Sequence, residues 1–242
     1  MKDTNSVSIA LTGSSTKLIR YISNASVTTG AKALKGASIT SQTITNGGIT
    51  VSGSTASFEG ISAAAISISV KDSRGNTTAQ TLNPTMIAYV RPTANLSLSN
   101  ISAIGGNLTL GVSGFYYSGS FGVKTNSAKI EYRYKAQGSD WGAWTALTNP
   151  TVADNKYSVE TALSGLNYQT QYVFQARITD LLGSATTPET PIQSKPIFDW
   201  GKDDFNINGT LKINEEAVAA YPIEIGTSSG WTYRKWNNGV LE

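Results

Sequence analysis

The sequence holds 242 residues, of which 39% are hydrophobic and only 14% are charged. Its formal net charge is +3 and its basic residues are scattered, so charge does not indicate a nucleic-acid partner. Histidine and cysteine are absent, which excludes Ser–His–Asp and Cys–His catalysis, thiolate chemistry, a disulfide framework and nearly all zinc or copper sites.

Short alternating segments dominate the first ninety residues. Apolar and polar side chains alternate at residues 7–11, 38–40, 49–51 and 66–70, as in half-buried β-strands. Gly, Asn and Ser separate these segments. Residues 18–23 would also fit a helical turn. The spacing predicts an Ig-like β-sandwich over residues 1–91, with a last strand at 88–91 and a stiff connector at Pro92.

An Asp-x-x-Gly turn follows an alternating strand twice, at Asp72 to Gly75 and at Asp180 to Gly183. The Asp side chain can accept hydrogen bonds from turn amides, and the Gly can adopt the positive φ that closes a hairpin. The separation of about one domain length predicts two domains of related architecture, each ending in its last strand pair. Coincidence is the alternative, because the motif is short and common.

A second sandwich is predicted over residues 92–197. Residues 128–135 form an alternating strand with Ile130, Tyr132 and Tyr134 on one face. Residues 166–180 (LNYQTQYVFQARITD) are similar to the penultimate strand of fibronectin type III domains. The resemblance implies a corner hydrogen bond that involves the Tyr172 hydroxyl and an inward-facing set made of Phe174, Ala176 and Ile178.

The segment 198–242 differs from both sandwiches in its sequence pattern. A hairpin is predicted around Asn208-Gly209 within residues 198–213, and two more short strands at 223–226 and 230–241. This segment is too small to form a hydrophobic core of its own, so we expect it to need a partner. The predicted fold class is therefore all-β, with two tandem Ig/fibronectin type III-like sandwiches and a C-terminal β-hairpin segment.

The acidic residues do not indicate a catalytic pair. Most are predicted at turns or on outward strand positions, among them Asp72, Asp154, Asp180 and Glu131. Asp203-Asp204 lies near aromatic residues, but turn residues beside a hairpin explain it better than a glycosidase pair. Asp199 with this pair could supply oxygen ligands to calcium but lacks the loop spacing. We expect no enzymatic activity, metal or cofactor.

All five tryptophans follow residue 140. Trp141 and Trp144 are predicted to pack in the core and at the rim of the second sandwich. The tail aromatics are interleaved with basic residues in a segment without its own core, so burial between subunits is the preferred interpretation. Ligand stacking and packing on the second domain are alternatives. The predicted interface or ligand-contact residues are Trp200, Phe205, Trp231, Tyr233 and Trp236.

Several stretches resemble bacteriophage tail proteins. The string ISVKDSRGNTTAQT, followed by MIAYVRPT, resembles the first sandwich of siphophage minor structural or tail proteins from Gram-positive hosts. NLTLGVSGFYYSGSFGVKTNSAKIEYRYK and PIFDWGKDDFNINGTLKI resemble the same proteins. GWTYRKWNNG is similar to the opening of a C-terminal element in phage tail fibres of such hosts.

This resemblance implies a virion component near the tail tip, made in the bacterial cytoplasm and acting outside the cell in fibre construction or host attachment. It also implies a homotrimer through residues 198–242 and contacts with other tail proteins. A module that binds cell-wall polysaccharide remains an alternative. A surface adhesin or an accessory domain of a secreted hydrolase is disfavoured, because no apolar signal segment opens the sequence. No membrane span is predicted.

Overall fold

The structure is a computed structural model that describes residues 1–99, 101–102 and 105–192, and the strand backbone at 198–200, 205–207, 212–213, 216–217, 222–228 and 231–236. Antiparallel strands dominate its regular structure. The predicted all-β, Ig/fibronectin-like fold class is therefore confirmed.

The first sandwich contains nine strands and a short helix within residues 1–87. They are β1 (Lys2–Asp3), α1 (Ser6–Thr12), β2 (Leu18–Ile19), β3 (Ala25–Thr28), β4 (Ile39–Asn46), β5 (Ile49–Ser52), β6 (Thr55–Phe58), β7 (Ile66–Asp72), β8 (Thr77–Leu82) and β9 (Met86–Ile87). One sheet has the order β1-β3-β6 and the facing sheet the order β5-β4-β7-β8. The core between them includes Val27, Ile44, Phe58 and Ile66. A parallel pair, β2 with β9, lies beside them.

Two local predictions for the first sandwich are wrong. Residues 7–11 belong to helix α1, because the Asn5 side chain caps it by accepting hydrogen bonds from the amides of Val7 and Ser8, and Gly13 ends it at φ 68°. Residues 88–91 form no strand: β9 ends at Ile87, and the chain then turns so that Tyr89 is buried. Residues 18–23 form strand β2 followed by a turn.

The second sandwich spans residues 93–192. Its strands are β10 (Thr93–Leu98), β11 (Leu108–Phe115), β12 (Lys129–Ala136), β13 (Thr145–Leu147), β14 (Thr151–Ala153), β15 (Lys156–Leu163), β16 (Tyr172–Thr179), β17 (Ser184–Thr186) and β18 (Thr190–Ile192). One sheet has the order β10-β11-β15-β14; the other has β13-β12-β16-β17, with β18 also paired to β16. The predicted inward set packs in the core, where Phe174, Ala176 and Ile178 are fully buried.

The predicted corner tyrosine is confirmed. The hydroxyl of Tyr172, the first residue of β16, accepts a hydrogen bond from the Asn167 amide at 3.2 Å. Ile130 and Tyr132 are buried in the core, as predicted for that face of β12, whereas Tyr134 is partly exposed and stacks on Phe174.

The two sandwiches share their strand order, since β1-β3-β6 corresponds to β10-β11-β15, and β5-β4-β7-β8 corresponds to β13-β12-β16-β17. The two Asp-x-x-Gly turns join equivalent strands in this correspondence. Gly75 has the expected positive φ of 87°, but Gly183 does not adopt a positive φ. The internal repeat thus marks related architecture, as predicted, while the second turn is closed differently. The predicted boundaries at 91 and 197 stay predictions.

The tail is described as three backbone hairpins. They pair β19 (Phe198–Trp200) with β20 (Phe205–Ile207), β21 (Lys212–Ile213) with β22 (Glu216–Ala217), and β23 (Pro222–Ser228) with β24 (Trp231–Trp236). The predicted hairpin turn at Asn208-Gly209 lies outside the described residues; the described strands pair β20 with β19 and β21 with β22. The two predicted strands in 223–241 match β23 and β24.

Candidate functional site

The predicted contact residues of the tail all lie in its hairpins. Trp200 and Phe205 are register partners between β19 and β20. Trp231, Tyr233 and Trp236 lie in β24, opposite Ser228, Gly226 and Pro222. The side chains of these residues lie outside the described part of the structure, so their role as an interface stays a prediction.

A buried joint connects the two sandwiches. The joint cluster consists of Leu11, Ile19 and Ile87 from the first sandwich, Tyr89 from the connector and Phe121 from the second sandwich. The rings of Tyr89 and Phe121 are 6.1 Å apart, and Tyr117 contacts both. The Val123 amide also donates to the Leu11 carbonyl at 2.9 Å, which attaches the second sandwich to the end of α1.

Asp180 is the polar centre of this joint. Asp180 is only 8% exposed. Its carboxylate accepts hydrogen bonds from the Tyr89 hydroxyl at 3.2 Å and from the Asn126 side-chain amide at 3.0 Å. It also accepts from the amides of Leu182 and Gly183, both at 2.8 Å. A buried carboxylate with four donors is well compensated. Burial, reinforced by the negative charge of Asp180, raises the pKa of the Tyr89 phenol, which therefore stays a neutral donor.

The joint was not predicted from the sequence. The sequence predicts a turn at Asp180 and a strand at Tyr89, and the structure brings these two residues together from positions 91 apart. The one sequence signal was the difference between the two turns: Asp72 precedes polar residues, whereas Asp180 precedes Leu181 and Leu182. Leu182 does pack against the joint cluster, whereas Leu181 is 42% exposed.

A tryptophan–cation ladder covers the outer face of β12 and β16. In order, it consists of Lys135, Trp141, Arg133, Trp144 and Arg177. Arg133 lies 4.4 Å from the Trp141 ring centroid and 4.5 Å from that of Trp144. Lys135 and Arg177 contact the same two rings at 4.6 Å and 4.2 Å. The prediction that Trp141 and Trp144 pack in the core or rim is therefore wrong for the core: both indoles lie on the solvent side and are partly exposed.

The ladder is anchored by a buried carboxylate. Glu131 lies directly opposite Arg177 between β12 and β16, and its side chain is only 4% exposed. Arg177 Nε donates to Glu131 at 2.7 Å, and Lys129 approaches the other oxygen at 2.7 Å. The hydrogen bond from Arg177 keeps the pKa of Glu131 below its usual range. Because each indole is contacted by two cations, both rings are poorly available for stacking on a sugar.

An open groove lies in the first sandwich. It has a volume of about 770 Å³, and its floor includes Ile68, Val70 and Leu82. The 29–35 loop covers one side, held by Arg74, whose guanidinium donates to the carbonyls of Leu34 and Lys35. Thr78 and Gln80 of β8 line the other side. This volume falls within the range of ligand sites.

Among the described residues, no group of three or more Asp and Glu side chains could hold a metal ion. Asp203 and Asp204, considered above as oxygen ligands with Asp199, lie outside the described residues. No helix in the described part is long and apolar enough to cross a membrane.

Comparisons with known proteins add little. No protein-family model matches the chain, and no curated protein matches it. Among solved structures, the chain is similar to one titled "Cytokine receptor complex - Crystal form 1A", with 16% identity over 73% of this chain and 93% of that chain and a TM-score of 0.31. A TM-score this low carries no argument, so the fold assignment rests on the strand pairing described above.

Proposed function

We propose that the chain is a non-enzymatic structural component of a bacteriophage tail, in its fibre or tail-tip region, that contributes to host attachment. The observation that carries the proposal is the buried joint. A spacer that transmits force needs a fixed angle between its domains, and inter-domain motion is the default unless the interface is apolar and well packed. The apolar side chains of the joint cluster pack around the Tyr89–Asp180 contact, and this packing is what would hold the angle between the two sandwiches fixed.

The sequence resemblance and the tail composition support self-association through residues 198–242. We expect the intact chain to form a homotrimer, because its aromatic tail strands occur only as two-stranded hairpins within the described residues, and such hairpins are marginal alone. Other tail proteins would bind the assembled trimer.

Light scattering tests this assembly. The mass of the full-chain particle should be a multiple of three chains of 25.6 kDa each, and removal of residues 198–242 should lower that mass threefold. The matched control is a full-length Trp141→Ala variant, which should remain trimeric because Trp141 lies in the second sandwich. A full chain that stays at the single-chain mass at all concentrations would contradict the assembly.

A cell-wall polysaccharide module is the second candidate function, and the groove of the first sandwich favours it. The groove combines an apolar floor with hydroxyl, amide and basic groups at its rim, which suits an amphipathic sugar chain. The ladder does not favour it, since its indole faces are engaged by cations.

Filling the groove tests this candidate. Val70→Trp should weaken retention on purified Gram-positive cell-wall polysaccharide about tenfold or more, whereas Ser69→Trp, on the opposite face of β7, should leave retention unchanged. The measurement is a pull-down with the full chain and with residues 1–197. Binding that needs residues 198–242, or that is insensitive to Val70→Trp, would contradict a sugar site in the groove.

A further inference from the structure

Strand β8 is an open sheet edge. It ends the order β5-β4-β7-β8, and no described strand pairs with its outer side. The Asp72 amide donates to the Asn76 carbonyl at 3.0 Å, which makes this facing pair a hydrogen-bonded one. Because hydrogen-bonded and non-hydrogen-bonded pairs alternate in antiparallel sheets, Thr78, Gln80 and Leu82 bond to β7. The backbone groups of Thr77, Ala79 and Thr81 therefore point away from it.

This edge lacks the features that usually block strand addition. Natural edges are kept short, covered, bulged, or marked by charge or proline. In the described sandwiches, the edges β5, β6, β13, β14, β17 and β18 have three or four residues, β1 has two, and β10 packs against β16 and β17 of the facing sheet. In contrast, β8 has six residues, Thr-Thr-Ala-Gln-Thr-Leu, without charge or proline, and its register with β7 is unbroken. Its first five residues are exposed.

We propose that β8 pairs antiparallel with β8 of a second copy of this chain, about a two-fold axis at Ala79. In that register Ala79 faces Ala79, and Thr77 faces Thr81 of the other copy in both directions. All three outward-pointing residues then form hydrogen-bonded pairs, so one register satisfies the whole edge. The contact is isologous, with small side chains at the axis and threonine pairs on either side, which suit neighbouring strands.

Charge favours a second copy over a charged partner. The edge strand carries no charge that could select an oppositely charged segment. The nearest cation in the sequence, Arg74, precedes β8 at the hairpin turn. Antiparallel pairing places the two Arg74 residues at opposite ends of the joined strands, so their repulsion is weak.

Pairing would also join the two grooves. A two-fold axis between antiparallel strands is perpendicular to the sheet, so the inner faces of both copies lie on the same side. Thr78 and Gln80, which line the groove, then become neighbours of their counterparts. The result is one continuous sheet of eight strands with a shared groove.

Cysteine cross-linking tests the pairing in the full-length chain, which contains no native cysteine. In a hydrogen-bonded pair the Cα atoms are about 5.5 Å apart, within reach of a disulfide. Under mild oxidation, Ala79→Cys should form a covalent dimer at least about tenfold faster than Ile49→Cys. Ile49 is a matched control, because it is 62% exposed and lies on β5, the opposite edge of the same sheet.

A charged side chain introduced on strand β8 provides a second test of the pairing. Thr81→Lys in the Ala79→Cys background should slow cross-linking to the rate of the Ile49→Cys control, while the circular dichroism spectrum is unchanged because Thr81 is exposed. Self-association through the tail would accelerate cross-linking of both cysteine variants alike. Failure of the proposed tail assembly can therefore be distinguished from failure of the β8 pairing. Equal rates for the two cysteines, or cross-linking insensitive to Thr81→Lys, would overturn the pairing and leave the edge to solvent or to a strand of another protein.

Discussion

Replacing Asp180 by alanine is expected to lower the free energy of unfolding by about 3 kcal/mol. The substitution removes the shared acceptor of the Tyr89 hydroxyl, the Asn126 side-chain amide and the turn amides of Leu182 and Gly183. Buried donors without a partner keep their desolvation cost. The loss should appear in urea denaturation and should be accompanied by faster hydrogen exchange of the Val123 amide, which bonds across the joint.

The internal repeat supplies the matched control for this prediction. Asp72 holds the equivalent turn in the first sandwich, where it accepts from the amides of Arg74 and Asn76, and none of its hydrogen bonds among the described residues reaches the second sandwich. Asp72→Ala should therefore cause only a small fraction of the loss and leave exchange at Val123 unchanged. Tyr89→Phe, which removes one donor, should cost about 1 kcal/mol. If Asp180→Ala were no worse than Asp72→Ala, Asp180 would be an ordinary turn residue.

Replacing Trp144 by alanine is expected to cost about 2 kcal/mol, because the ring contacts two guanidinium groups and cation–π pairs contribute about 0.5–2 kcal/mol each. Loss of the ring also frees Arg177, the main partner of the buried Glu131 carboxylate. Removing the support of a buried charge is costly. Urea denaturation at low and high salt measures the effect.

Trp141 is the control within the same ladder. It contacts Arg133 and Lys135 but neither of the ion-pair partners of Glu131. Trp141→Ala should therefore cost about half as much as Trp144→Ala. A larger loss for Trp141→Ala would contradict the view that the ladder stabilises the sandwich through Glu131.

Much of the fold could be predicted because its signals are local. Alternation over residues 128–135 and the spacing that ends at Tyr172 depend on neighbours along the chain, and both are found as predicted. Residues 7–11 alternate equally well but form a helix, since the cap at Asn5 and the stop at Gly13 outweigh five alternating side chains. Short alternating runs therefore do not distinguish a strand from a capped helical turn.

The candidate site was harder to predict because it depends on contacts between distant residues. Nothing local to Tyr89 or Asp180 shows that the two meet in the joint. The sequence predicts core and rim positions for the tryptophans of the second sandwich, because indoles are highly buried on average. Their position on the outer face follows from Arg133 and Arg177 on neighbouring strands, which only the pairing of β12 with β16 brings together.

The distance between two spin labels, one in each sandwich, tests most directly whether the sandwiches form one rigid unit. Cysteines introduced at the exposed residues Ser52 and Thr151 would be the only thiols in the chain. With labelled chains diluted in excess unlabelled chain, so that only distances within one chain contribute, pulsed electron paramagnetic resonance should give a single narrow distance distribution in the otherwise native chain and a broader one with Asp180→Ala. A broad distribution in the otherwise native chain, unchanged by Asp180→Ala, would contradict a rigid spacer.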